Sequence, residues 1–241
     1  MKKKNSVLIS NKIKKFNKTI SVEGDKSISH RSLLIASQCI GVSNIDNILE
    51  SEDVKNTIVC LKKLGVKIIK KNKKYIVYGN GLGSFKKPKN NFLYTGNSGT
   101  LTRLIFSLIG TQSNLKVKIS GDASLNKRDM KRIIDPLSKI GCNFYPKNKA
   151  TLPLTIEGTS MPLAQKHLEK IGSAQVKSSI LLAALNTQGT TQIEVKKISR
   201  DHTENLLSKI KADINIKQKK KGCLISLKGQ KNLLGFNLKI P

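Results

Sequence analysis

One eight-residue pattern recurs along the chain and restricts its fold more than any other feature. Leu61-Lys62-Lys63-Leu64-Gly65-Val66-Lys67-Ile68 resembles Leu137-Ser138-Lys139-Ile140-Gly141-Cys142-Asn143-Phe144. Leu207-Ser208-Lys209-Ile210-Lys211-Ala212-Asp213-Ile214 is a weaker third copy. The copies lie about 70 to 76 residues apart, which is the length of a repeated supersecondary unit rather than of a short solenoid repeat. The same order is read around each copy. An apolar helix (27–39, 98–109 and 173–185) leads through a turn with Gly or Asn to a short strand (43–48, 115–120 and 190–195). A second helix follows (53–64, 129–140 and 202–211), and two strands such as 66–71 and 74–78 close the unit. With a leading strand, Thr19-Ile20-Ser21-Val22 in the first copy, the unit is βαβαββ and the class is α/β.

The two helices of a unit differ in pattern. Val54, Ile58, Leu61 and Gly65 mark one stripe of a second helix, with Lys55, Lys62 and Lys63 opposite. Ile133, Ile134, Leu137 and Ile140 repeat it, so these helices should be half exposed. The first helices are apolar nearly all round: Leu101, Leu104, Ile105, Phe106, Leu108 and Ile109, then Ile180, Leu181, Leu182, Ala183, Ala184 and Leu185. Such helices belong inside. The expectation is three repeated units with buried parallel helices and sheets outside.

Equivalent units bring equivalent helix ends together. The first helices begin at Gly24-Asp25-Lys26-Ser27, Gly96-Asn97-Ser98-Gly99-Thr100 and Gly172-Ser173-Ala174-Gln175. Each alone reads as an ordinary helix cap. Converging, they would aim three positive dipole ends and many N–H donors at one point, a setting for an anion. Arg31 and Arg103 stand about one turn into the first two helices. Arg128 ends the loop Gly121-Asp122-Ala123-Ser124-Leu125-Asn126-Lys127-Arg128, and Arg200 precedes the helix at Asp201-His202-Thr203, where Asp201 or Thr203 can cap. Asp53 reads as a cap of its own helix.

Composition narrows the partners. The chain has 241 residues and a formal charge of +30, but only five of its 45 basic residues are arginine. Lysines are spread over its whole length with Asn and Ile, which fits a coding bias better than a nucleic-acid patch. Aromatic content is 4% with no Trp, so base-stacking platforms are scarce. Against that lysine background Arg31, Arg103, Arg128, Arg132 and Arg200 stand out, and the positions of four of the five point to a need for the planar fork that grips carboxylate or phosphate. Cys39, Cys60, Cys142 and Cys223 are scattered singly, with no zinc or dithiol spacing. His30, His167 and His202 are far apart, which argues against a metal site. Ser27 and Ser173 have no evident base beside them, and no Walker loop exists. After MKKK the run Val7-Leu8-Ile9 is broken at once, so neither a secretory signal nor a membrane span is expected, and the default is a cytoplasmic monomer.

Five motifs together resemble the EPSP synthase family: GDKSISHR at 24–31, YTGNSGTLTRL at 94–104, GDASLNKRDMKR at 121–132, GSAQVKSSILLAAL at 172–185 and SRDHTENLL at 199–207. The resemblance implies transfer of the enolpyruvyl group of phosphoenolpyruvate to the 5-hydroxyl of shikimate 3-phosphate, with release of phosphate and no metal or organic cofactor. By motif, Lys26 would touch both substrates as the catalytic residue. Ser27, Arg31, Ser173, Ala174, Gln175 and Arg200 would join it on shikimate 3-phosphate. Asn97, Gly99, Arg128 and Gln175 would join it on phosphoenolpyruvate, Gly99 because a side chain would intrude there. Asp129 stands where many relatives have proline.

The resemblance also implies a second domain of three further units, holding a carboxylate and a lysine for proton transfer. Residues 1–18 would pack on that domain, 19–235 would form the three-unit substrate-binding domain, and 236–241 would start the crossover. Two other readings compete. The related UDP-N-acetylglucosamine carboxyvinyltransferase family has Lys-Asn where this chain has Lys26-Ser27, and its reactive-cysteine loop has no counterpart here. A noncatalytic basic nucleic-acid-binding protein is the other.

Overall fold

The computed structural model describes residues 10, 11, 15, 17, 19, 20, 22–72 and 74–241. Three sheets of four strands surround a helical centre. The first holds β1 (Ile40–Asp46), β2 (Lys67–Lys71), β3 (Lys74–Asn80) and β12 (Asn237–Lys239) in the order β12-β1-β3-β2. The second holds β4 (Phe92–Tyr94), β5 (Lys116–Ser120), β6 (Asn143–Tyr145) and β7 (Leu154–Glu157) in the order β4-β5-β7-β6. The third holds β8 (Lys166–Glu169), β9 (Thr190–Val195), β10 (Ile214–Gln218) and β11 (Cys223–Lys228), read β8-β9-β11-β10. Each sheet has one parallel pair, β12–β1, β4–β5 or β8–β9, and is otherwise antiparallel. The three units are therefore equivalent in pairing as well as in sequence.

The first helices of the units are α1 (Lys26–Ser37), α3 (Gly99–Gly110) and α6 (Ala174–Leu185). They form the centre, as their all-round apolar pattern requires: Leu33, Leu34, Leu104, Ile105, Phe106 and Leu182 are fully buried. Small polar residues mark the closest approach, where Ser107 Oγ of α3 lies 3.1 Å from Ser179 Oγ of α6. The second helices, α2 (Glu52–Lys63), α5 (Lys131–Ile140) and α7 (His202–Lys209), bury one stripe each. A short extra helix, α4 (Ala123–Asn126), precedes α5, so the expected start of that second helix at 129 moves to 131. Asp122 caps α4 through Leu125 N–H (2.7 Å), and Asp129 accepts from Lys131 N–H (2.7 Å), holding Arg128 in the link between the two helices.

The first unit departs from the expected chain order. Thr19, Ile20 and Val22 lie in no strand, and Ile20 and Val22 are exposed; Ser21 lies outside the described residues. The parallel place beside β1, filled by β4 and β8 in the other units, is taken by β12 from the far end of the chain. Residues 236–241, read from the sequence as the start of a crossover, thus complete the first sheet. The physical cause is burial: Ile240 is fully buried, and its carbonyl accepts from Asn47 Nδ2 (3.0 Å). Pro241 carbonyl accepts from Asp25 N–H (2.9 Å), so the chain end seats the start of α1. A Cβ on Gly24 would overlap the Asn47 carbonyl and Ile240, which explains the glycine there.

The four thiols are free, with Cys39, Cys60 and Cys142 buried and pushed up to about 12 by that burial. Among the described residues there is no cluster of metal-ligating side chains, and no helix is long and apolar enough to cross a membrane.

Candidate functional site

Side chains tie the N-terminus of α6 to that of α3, and Arg31, one turn into α1, reaches Ser178 of α6. The caps of α1, α3 and α6 are Asp25, Ser98 and Ser173, whose oxygens accept from Ile28, Leu101 and Val176 N–H at 2.8, 3.2 and 3.4 Å. Ser173 is thus a helix cap, with Ala174 and Gln175 opening α6 behind it. Gln175 spans to α3: its Oε1 accepts from Arg103 Nη1 (3.0 Å), and its Nε2 donates to Thr100 Oγ1 (3.1 Å).

Two groups of guanidinium ions result. Around Ser27, Arg31 Nη1 donates to the Ser27 carbonyl (3.0 Å) and Arg200 Nη1 to the Ser27 hydroxyl (3.2 Å). Arg31 is only 3% exposed, and burial followed by the Arg200 charge brings its pKa down to about 10. Around Gly99, Arg128 Nη2 donates to Asn97 Oδ1 (2.6 Å), while Asn97 Nδ2 donates to Asp122 (2.8 Å). A Cβ on Gly99 would stand 2.7 Å from Arg103 Nη1 and 3.2 Å from Arg128 Nη1, so the glycine makes room for both forks. Burial, then Arg128 and Arg132, lower the Arg103 pKa. Arg103, Arg132, Asp129, Ser173 and Gln175 line a cavity of about 220 Å³ between α3, α5 and α6.

None of the five arginines forms a salt bridge among the described residues; every ion pair uses Lys or His202. Mutually repelling guanidiniums without carboxylate partners, beside three helix N-termini, form a site for a polyanion. Lys26, at the first position of α1, is half exposed and pairs with Asp53 (3.1 Å). That corrects the reading of Asp53 as a cap: Ser51 takes that position, and Asp53 holds the lysine. Asp201 takes the N-cap of α7 without a side-chain bond, and Thr203 does not cap but accepts from Arg31 Nε (2.8 Å).

Of the predicted residues, Ser27, Arg31 and Arg200 come together, as do Asn97, Gly99 and Arg128, with Gln175 against Arg103 beside the second group. Sequence reading missed Ser178, which accepts from Arg31 Nη2 (2.9 Å), and the buried pair Lys177–Glu204. The one available signal was Lys177, a basic residue in a helix otherwise read as buried. A larger cavity, about 790 Å³, lies at the opposite ends of α3 and α6, lined by Thr111, Gln112, Asn186, Gln188 and Gln230. Helix C-termini and amides ring it, with no basic side chain, so it has the wrong polarity for an anion.

The family model for EPSP synthase (3-phosphoshikimate 1-carboxyvinyltransferase) matches residues 10–241. The 3-phosphoshikimate 1-carboxyvinyltransferase of Bartonella quintana is 42% identical over 226 residues, covering 92% of this chain and 50% of that protein. That of Desulforamulus reducens is 36% identical over 236 residues, covering 97% of this chain and 53% of the relative. The solved EPSP synthase of Acinetobacter baumannii superposes with a TM-score of 0.84 at 36% identity, over 92% of this chain and 49% of that one. The chain spans about half the length of the relatives it matches. With the family match over nearly its whole length, and three units equivalent in pairing, the chain belongs to the EPSP synthase family.

Proposed function

We propose that this chain carries the acceptor-binding half of an enolpyruvyl transferase. The whole reaction joins the 5-hydroxyl oxygen of shikimate 3-phosphate to C2 of phosphoenolpyruvate. The carbon–oxygen bond to phosphate breaks, and the hydroxyl proton leaves. Arg31, Arg200, Ser27, Ser173 and Ala174 hold the phosphate and carboxylate of the acceptor. Asn97, Gly99 and Arg128 take phosphoenolpyruvate, Gln175 lies between the two, and Lys26 reaches both once it exchanges Asp53 for substrate. Residues 19–235 with β12 form this half, and a second domain supplies the proton-transfer carboxylate and lysine; residues 1–18, expected to pack on that domain, lie mostly outside the described residues. Ordering a closed, water-free site needs both halves.

The observation that carries this reading is the set of arginines that, among the described residues, lack carboxylate partners beside the N-terminal turns of α1, α3 and α6. A bound dianion relieves the Arg31–Arg200 and Arg103–Arg128 repulsion. Titration calorimetry tests it with three ligands. Shikimate 3-phosphate should bind and UDP-N-acetylglucosamine should not. Random duplex DNA should lose its affinity as salt rises to physiological strength. Retention of DNA at that salt, with no response to shikimate 3-phosphate, would favour the basic nucleic-acid-binding reading instead. Steady-state assay of the chain alone should give no turnover.

A further inference from the structure

Arg31 is a buried cation that, among the described residues, forms no ion pair. Its Nε donates to Thr203 Oγ1 (2.8 Å) and more weakly to Ser178 Oγ (3.3 Å), Nη2 donates to Ser178 Oγ (2.9 Å), and Nη1 donates to the Ser27 carbonyl (3.0 Å). The two hydroxyls form a directed chain. Thr203 Oγ1 donates to Ser178 Oγ (2.7 Å), and Ser178 Oγ donates to the Ala174 carbonyl (2.6 Å). Each hydroxyl has one proton, so this assignment leaves only lone pairs toward the guanidinium. Thr203 is fully buried and Ser178 is 1% exposed, so water does not substitute for either. The nearby carboxylate that could compete, Glu204, is committed to Lys177 in a buried ion pair.

The arrangement joins three elements. Thr203 belongs to α7, Ser178 and Ala174 to α6, and Arg31 and Ser27 to α1. A carboxylate in place of the hydroxyls would hold the fork equally well but neutralise it, and would compete with an incoming anion. Hydroxyls fix the plane of the guanidinium and leave its charge unspent. One N–H on each terminal nitrogen then has no acceptor among the described residues.

We infer that Thr203 and Ser178 are positioning residues for the acidic acceptor: they orient the buried Arg31 fork, and through it Ser27, while leaving its charge for the ligand. The inference rests on the reading of this site as the shikimate 3-phosphate site. Neither residue needs to touch the ligand. Substitution acts by letting the fork turn or by leaving its N–H groups unsatisfied in a buried place.

The test is titration calorimetry of the full chain with shikimate 3-phosphate, well below the thermal midpoint of each variant. Thr203→Val keeps the shape and removes the acceptor; it should raise Kd about tenfold, the effect of losing one hydrogen bond to a charged group. Thr203→Ser restores the hydroxyl and should return Kd to within about threefold of the unaltered chain. In an Arg31→Lys background, which lacks the fork, Thr203→Val should change Kd by less than about twofold, because the two residues act through one another. A purely structural threonine would lower the thermal midpoint but leave Kd unmoved, or would act equally in both backgrounds; either result overturns the inference. Equal weakening by Val and Ser does so too. Failure of the unaltered chain to bind sinks the site reading and this inference with it, whereas binding unaffected by Thr203→Val sinks the inference alone.

Discussion

Gly99 shows how little freedom a single position has at this site. It sits at the first position of α3, where alanine would be the better helix former. Its absent Cβ is the space that Arg103 and Arg128 use. Gly99→Ala should leave stability nearly unchanged and weaken phosphoenolpyruvate binding, measured with shikimate 3-phosphate present, about tenfold or more. Unchanged affinity would mean that the two forks do not act from that space. His30 makes a second residue-scale case. It is fully buried beside Thr57 (2.7 Å), and burial lowers its pKa to about 4, with Asp53 opposing and Lys26 and Arg31 adding to the effect. In the unfolded chain the imidazole binds its proton near pH 6.5. Between pH 6.5 and 4 the unfolded state therefore holds more protons than the folded one, so stability falls as pH falls through that window. The loss from this group is about 3 kcal/mol, complete below pH 4. In urea unfolding, His30→Gln should lose about that much less stability than the unaltered chain between pH 6.5 and 4. An equal loss would contradict a buried neutral imidazole.

At the scale of elements, the first unit borrows its leading strand from the other end of the chain. β12 has only three residues, yet it brings the fully buried Ile240 against Gly24 and the Pro241 carbonyl onto Asp25 N–H. Ile240→Ala should cost about 3 kcal/mol in denaturant unfolding, as a large-to-small change in a full core does. Leu238→Ala, at a half-buried position, should cost less than half of that. Equal costs would argue against the special seat of Ile240.

The central helices were legible because α3 and α6 are apolar on every side, a pattern with one physical outcome. The second helices were legible from their stripes. β12 was not, since three residues carry no period and their partner lies 193 residues away at Asn44. Thr19 to Val22 alternated like a strand, but Ile20 and Val22 find no sheet edge and stay exposed. Equivalent helix ends indicated that basic groups arrive from all three units; the grouping of Ser27 with Arg200, and of Asn97 with Arg128, was implied by the family resemblance. The holding of Arg31 by Ser178 and Thr203 was not legible, because which face of α6 meets α1 and α7 is decided by packing rather than by local pattern.

Across the whole molecule, the charge of +30 and the placement of five arginines tell different stories. The described lysines are spread over strands, loops and half-exposed helices, where they raise general attraction for polyanions and screen away with salt. The arginines gather toward the N-terminal ends of the central helices, and among the described residues none is spent on a carboxylate. The opposite pole, with its larger cavity and helix C-termini, repels anions. The molecule is thus polar along its helix bundle, and on the proposed reading its arginine-bearing end takes the acidic acceptor. A crystal structure of this chain grown with shikimate 3-phosphate tests that most directly. The account predicts phosphate or carboxylate oxygens within about 3 Å of the Ser27 hydroxyl and of a nitrogen of Arg31 or Arg200. Density for the ligand on a lysine-rich outer surface or in the cavity at the opposite pole, with the Ser27 end empty, would contradict it.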